Sequence, residues 1–254
     1  MRRILLSAAI IIAAAIAVSC TKGEIKCNSF DRDIVKPLPE GAPECALQDS
    51  LRIHYSLQLP TGEKWAEARE SIIRSVIDEK SYGGDDTLSI DAHINSLIDN
   101  YYKEYNETMA GYDEKEMHFP PFAYNYDFTG GFLEPYQEKN VVTYKIGGNA
   151  YTGGAHGMYW ETYFTFNMED GKRVAVSFFV PEEKIDALRD LLYGKLSDTE
   201  GFFPDFVTEE TELATENFFV NQDGMTFVYN PYEVGPYSSG IIMANVTWSE
   251  IEAL

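Results

Sequence analysis

The chain has 254 residues, 41 of them Asp or Glu and 20 Lys or Arg, for a net charge of −21. That length allows one large domain or two small ones, and a hydrophobic fraction of 44% with 14% aromatics excludes wholesale disorder. The acidic balance excludes a nucleic-acid binder, which needs clustered Lys and Arg, and disfavours anionic lipid surfaces; a partner selected by charge is cationic.

Met1-Arg2-Arg3, followed by the apolar run Ile4 to Val18, has the basic start and hydrophobic stretch of a signal peptide. The run is shorter than the about 20 apolar residues of a membrane span. It ends Ala17-Val18-Ser19-Cys20, which resembles a bacterial lipobox, where the cysteine is lipidated and becomes the new N-terminus. An ordinary cleaved signal peptide is the alternative. The expectation is an exported chain that loses residues 1–19. It is then held to a membrane only by acyl chains on Cys20, on the periplasmic or cell-surface side. Loss of residues 1–19 removes two basic residues and no acidic ones, so the net charge moves from −21 to −23. Residues 20–47 read as a tether. Within it, Cys27 and Cys45 are an even pair for an oxidising compartment. A disulfide between them would close a loop of about 18 residues, worth about 3 kcal/mol in the chain-entropy picture. That loop holds Pro37, Pro39 and Pro43 and no periodic apolar pattern.

Leu51 to Leu59 alternates apolar and polar residues and predicts a half-buried strand. Trp65, Ala68, Ile72, Ile73, Val76 and Ile77 follow at helical spacing. Asp86 or Thr87 caps a second predicted helix through Leu88, Ile94, Leu97, Ile98, Tyr101, Tyr105 and Met109, which Gly111 closes. A junction at Pro120-Pro121 divides the chain into parts 48–121 and 122–254. Beyond it strands are expected at Tyr124 to Phe128, Val141 to Ile146 and Tyr159 to Met168, the last with Trp160, Thr162, Phe164 and Phe166 on one face. Glu169-Asp170-Gly171 signals a hairpin with a return strand over Arg173 to Phe179. Pro181, Glu182 and Glu183 open a helix whose buried face is Ile185, Leu188, Leu191, Leu192 and Leu196. A second hairpin, Phe218 to Val220 and Met225 to Tyr229, turns at 221–224. A loop over 230–240 leads to a last strand at Ile241 to Thr247. Strand runs with segregated helices predict an α+β fold, mostly antiparallel, with helices packed on one side and two small subdomains.

Two segments carry a resemblance. One is Tyr151-Thr-Gly-Gly-Ala-His-Gly157 with Tyr163-Phe-Thr-Phe-Asn-Met-Glu-Asp-Gly171; the other is Phe218 to Gly240, ending Asn-Pro-Tyr-Glu-Val-Gly-Pro-Tyr-Ser-Ser-Gly. Together they resemble the C-terminal domain of RsiV-type proteins, which is often preceded by the N-terminal domain found in the peptidoglycan deacetylase PdaC. The strand at 51–59 and its two helices sit where that N-terminal domain would lie. The resemblance implies an exported recognition module, since RsiV binds lysozyme through its exported domain. No anti-sigma segment or deacetylase domain is read in these 254 residues, so neither activity is expected to carry over.

No H-E-x-x-H, C-x-x-C or G-x-S-x-G occurs, so no metal or cofactor is expected and no hydrolase signature is present. Of the four histidines, His54, His93, His118 and His156, the first two read as surface or hydrogen-bonded residues. His156 lies in the glycine-dense turn with Gly153 and Gly154, where backbone amides turned outward would meet an anion. The favoured reading is a side chain that bonds a backbone carbonyl and pins a β-corner, with the glycines there for geometry. Tyr232, Glu233 and Tyr237 on the 230–240 loop suit protein or carbohydrate recognition, or else a structural corner. Asp205, Glu209, Glu210, Glu212 and Glu216 would steer a cationic ligand or simply be solvated. Three functions follow. The first is an envelope-anchored binding module for a lysozyme-like cationic protein or a peptidoglycan fragment. The second is a peptidoglycan- or polysaccharide-modifying enzyme using His156, and the third is a structural or assembly lipoprotein.

Overall fold

The computed structural model describes residues 25–37, 50–76, 125–151 and 155–254, with residues 95, 96, 98–100, 102, 103 and 107 between them. The expected signal peptide, Cys20, Cys45, His93, His118, the Pro120-Pro121 junction, Gly153 and Gly154 lie outside the described residues. Of the expected helix at 88–109, the described residues between 95 and 107 are helical.

The chain folds as α+β around two sheets. The larger has five strands in the order β1 (Cys27–Pro37), β2 (Ser50–Pro60), β3 (Asn125–Phe132), β4 (Val141–Tyr151) and β5 (Met158–Asn167). The smaller has β6 (Phe218–Asn221), β7 (Gly224–Tyr229) and β8 (Ile242–Thr247). Every pairing is antiparallel except β2 with β3, whose register runs Arg52 opposite Asn125 to Leu57 opposite Gly130. The five-stranded sheet therefore takes strands from both sides of the expected Pro120-Pro121 junction.

The alternation of Ile53, Tyr55 and Leu57 places all three on one face of β2, at 2% exposure or less. Helix α1 (Ala66–Val76) lays Ala68, Ile72 and Val76 on that face; their i, i+4 spacing gives it one apolar stripe. Burying a side chain such as Ile72 contributes about 1.5–3 kcal/mol. Phe128 stacks on Tyr55 at 4.8 Å between ring centroids, and Trp65 sets its edge to Phe166 at 6.5 Å. A second core forms beneath the small sheet. There α2 (Ile185–Ser197) buries Leu188, Leu192 and Leu196 against Phe218, Met225, Phe227 and Val246. The hairpin between β6 and β7 has the expected turn: the Asp223 N–H donates to Asn221 Oδ1 at 2.8 Å, and Gly224 supplies a φ of 143°.

Two expectations are corrected, and one further element is found. Residues 27–37 are a strand, not part of a tether: Phe30 is buried and Ile34 packs against the core, so the alternation is present but diluted by Asp, Arg and Lys. The return strand over Arg173 to Phe179 does not form. After a single bridge between Phe166 and Arg173 the chain turns into a 3-10 helix at Val176–Phe178, because Val174, Val176 and Val180 are all drawn into the second core. Last, a C-terminal helix, α3 (Trp248–Ala253), follows β8. Its start is a reciprocal cap between Thr247 and Glu250, a T-x-x-E spacing present in the sequence.

Candidate functional site

Burial along β4 changes at residue 145. Val141, Val142, Thr143 and Tyr144 are all buried, so both faces of the strand are covered there; beyond them only Ile146 and Gly148 are buried. On β5 the residues from Tyr163 to Phe166 are buried while Tyr159 and Glu161 are partly open. The cause is the placement of the small sheet. It covers only one end of the polar face, where the Thr143 and Thr165 hydroxyls are 2.9 Å apart and the Thr165 hydroxyl donates to the Phe218 carbonyl at 3.4 Å.

The uncovered end is a groove of about 570 Å³ lined by Asp127, Lys145, Asn149, Tyr159 and Glu161, with Ile241 also in its lining. It shares Asp127 and Asn149 with a second hollow of about 440 Å³ that reaches Asp33, Arg52 and His54. Gly147 forms part of the floor, and a Cβ added there would meet no atom within 4 Å. At the groove's covered end, Lys145 Nζ lies 2.6 Å from Glu161 Oε1, and the Tyr163 hydroxyl donates to Glu161 Oε2 at 2.6 Å. Desolvation, followed by the Glu161 carboxylate, pushes the Tyr163 hydroxyl well above its ordinary range. These three side chains form a closed, satisfied set.

Beside the groove stands an aromatic ridge. The His156 ring stacks on Tyr237 at 4.0 Å and 20°. Tyr237 meets the edge of Tyr159 at 5.5 Å and tilts against Tyr232 at 6.0 Å. Tyr232 is 48% exposed and adopts a φ of 77°, the left-handed region that favours glycine. Its N–H donates to the Gly235 carbonyl at 3.0 Å. Phe203, also 48% exposed, adjoins the same loop by donating its N–H to the Val234 carbonyl. Three of the expected site residues, His156, Tyr232 and Tyr237, thus come together.

Glu233, on the same loop, is engaged locally. Its carboxylate turns back to accept the Asn230 N–H at 2.9 Å and so holds the loop's own turn. Partial desolvation raises its carboxyl, and bonds from the Asn230 backbone and side chain draw it down. His156 Nδ1 lies 2.9 Å from the Gly157 carbonyl, which can only accept, so Nδ1 carries the hydrogen. Among the described residues no carboxylate hydrogen-bonds this ring, so no acid–base pair is assembled around it. Asp205, Glu209, Glu210, Glu212 and Glu216 are exposed; Glu212 lies 3.9 Å from Arg189, and Glu216 accepts the Val176 N–H. Among the described residues no group of three metal-ligating side chains occurs, and no helix is long and apolar enough to cross a membrane.

Sequence reasoning missed the groove. Its side chains are the polar positions of strands far apart in the chain, and each reads alone as an ordinary solvent-facing residue. The only signal was that these positions alternate with core residues on strands that share a sheet.

Residues 177–249 match the model of a family described as protein of unknown function (DUF3298). The fold is similar to two crystal structures of that family. One, from Bacteroides fragilis NCTC 9343, is 24% identical with a TM-score of 0.67, over 90% of this chain and 92% of the other. The second, from Pseudomonas aeruginosa PAO1, is 14% identical with a TM-score of 0.59, over 90% and 93% of the two chains. No curated protein matches the chain significantly.

Proposed function

We propose that this chain is an RsiV-like binding module of the bacterial envelope, exported as a lipoprotein and anchored through Cys20, whose partner is a cationic protein of the lysozyme type. The observation that carries the reading is the exposed aromatic ridge. Tyr232 and Tyr237 present their rings on a strained turn that the Asn230–Glu233 bonds hold in place, and His156, from the β4–β5 connection, stacks on Tyr237. Large rings fixed before contact lose little entropy on binding, which suits a recognition hot spot. The charge of −21 draws a basic partner towards it. A catalytic role for His156 has less support, since its only ring hydrogen bond among the described residues is to a backbone carbonyl.

The test is calorimetric titration of the purified chain with a c-type lysozyme at low and moderate salt. The reading expects saturable binding that persists at about 0.15 M salt, where exposed charges more than about 8 Å apart are largely screened. Binding that vanishes with salt, or that the Tyr232→Ala and Tyr237→Ala variants leave unchanged, would reject it.

A further inference from the structure

The registers of the five strands align one row of side chains across the whole sheet. Asp33 on β1 is opposite His54 on β2, His54 is opposite Asp127 on β3, Asp127 is opposite Asn149 on β4, and Asn149 is opposite Tyr159 on β5. Strands lie about 4.8 Å apart, so the row is about 19 Å long. It runs along the two connected hollows, whose volumes fall within the about 300–1,000 Å³ typical of ligand sites.

We propose that this row binds an uncharged saccharide chain lying across the strands. This goes beyond the protein partner of the ridge and names a second site. The first reason is unspent hydrogen-bonding capacity. Among the described residues the side chains of Asp33, His54 and Asn149, and the neighbouring Arg52, have no hydrogen bond or ion pair, and Asp127 has only the Thr129 hydroxyl at 3.5 Å. Planar donors and acceptors side by side match the adjacent hydroxyls of a sugar, each of which both donates and accepts. The second reason is charge. Asp33 and Asp127 face one free guanidinium, Arg52, while Lys145 and Glu161 neutralise each other. A polyanion is repelled here, and the row offers no dense acidic cluster for a polycation. The third is shape. Tyr159 ends the row with a partly open ring, whose face suits the apolar C–H side of a sugar, and the bare backbone at Gly147 lets a ring settle between the side chains. An extended peptide is a poorer fit: it would pair with a sheet edge, and the β5 edge is occupied by Asn217 and Asn230 carboxamides.

The experiment is calorimetric titration of the purified chain with tetra-N-acetylchitotetraose and with cellotetraose, with tetragalacturonate as the anionic control. The expected result is saturable binding of at least one neutral tetramer, weakened tenfold or more by Asn149→Ala and by Gly147→Val, with little change in thermal midpoint. Gly147 lies in a strand without a positive φ, so valine fills the groove and not the core. Failure of both neutral tetramers to bind would overturn the proposal. So would binding that Gly147→Val leaves intact, or tetragalacturonate binding as tightly. Lysozyme titration of Gly147→Val separates the two sites, since it reads the ridge and should be unchanged whatever the sugars do.

Discussion

The carboxamide of Asn230 pairs with the backbone of Glu161 as a neighbouring strand would. Its Oδ1 accepts the Glu161 N–H at 2.8 Å, and its Nδ2 donates to the Glu161 carbonyl at 3.2 Å. Asn217 repeats the device one pair along, accepting the Tyr163 N–H at 2.8 Å and donating to the Glu161 and Val228 carbonyls, each at 3.0 Å. The two sheets are thus joined by side-chain amides and not by a continued ladder. The same amides fill the hydrogen-bonding edge of β5, which would otherwise be a template for association.

Asn217→Ala leaves the Tyr163 N–H and the Val228 carbonyl unpaired in a part-buried joint, while the Glu161 carbonyl keeps the Asn230 amide. The expected loss is about 2 kcal/mol in urea unfolding, with a tendency to self-associate that light scattering would register. A loss under about 0.5 kcal/mol would show that the joint rests on the second core alone.

Tyr232 holds a left-handed backbone conformation that costs a non-glycine residue about 1–2 kcal/mol. Tyr232→Gly should therefore raise stability by about 1 kcal/mol while removing a ring from the ridge. Thermal midpoint and lysozyme affinity then move in opposite directions, the mark of a residue kept for contact.

Glu250 is held well below the usual carboxylate range, at about 2, chiefly by the Lys195 ammonium at 2.8 Å, with the Thr247 N–H next. A folded pKa below the unfolded value adds stability that is fully present above about pH 4.5 and lost as pH falls towards 2. Glu250→Gln keeps the reciprocal cap but removes the charge. It should cost under about 1 kcal/mol at neutral pH, as befits a half-exposed pair, and flatten the acid limb of the stability profile between pH 4.5 and 2.

Gly130 and Gly148 sit under aromatic rings. A Cβ at Gly130 would lie 2.5 Å from the Tyr144 hydroxyl oxygen, and one at Gly148 would lie 2.5 Å from the Trp160 ring. Gly130→Ala and Gly148→Ala should each cost about 1–3 kcal/mol by overpacking. Gly147→Ala between them, facing open space, should cost nothing by calorimetry.

If Cys20 carries the anchor, Cys20→Ser moves the chain from the detergent phase to the aqueous phase on Triton X-114 partition. Retention in the detergent phase would point to another means of attachment.

Strong local periodicity made most elements readable from the sequence. The alternation from Leu51 to Leu59 and the spacing of Ile185, Leu188, Leu192 and Leu196 each gave an element close to its observed bounds. β1 was hidden because charged residues and Pro37 dilute its apolar positions, which are satisfied by pairing with β2. The segment after Gly171 was misread because valines at alternate positions signal a strand, whereas tertiary packing draws them into the second core. The ridge was partly visible, since aromatic residues on glycine- and proline-rich loops stand out. The row from Asp33 to Tyr159 was not visible, because strand register is a property of pairing between distant segments.

The parallel pairing of β2 with β3 also dictates an order of assembly. The strands touch directly, yet Pro60 and Asn125 are separated by the whole of α1 and the residues up to 124, so their contact closes a long loop. The small sheet consists of sequence neighbours and pays little closure entropy. In refolding, tryptophan signals from Trp248 beside the small sheet should settle before those from Trp65 in the first core. The groove, which needs all five strands in register, is then the last part of the molecule to exist and the first to vanish when the sheet parts between β2 and β3.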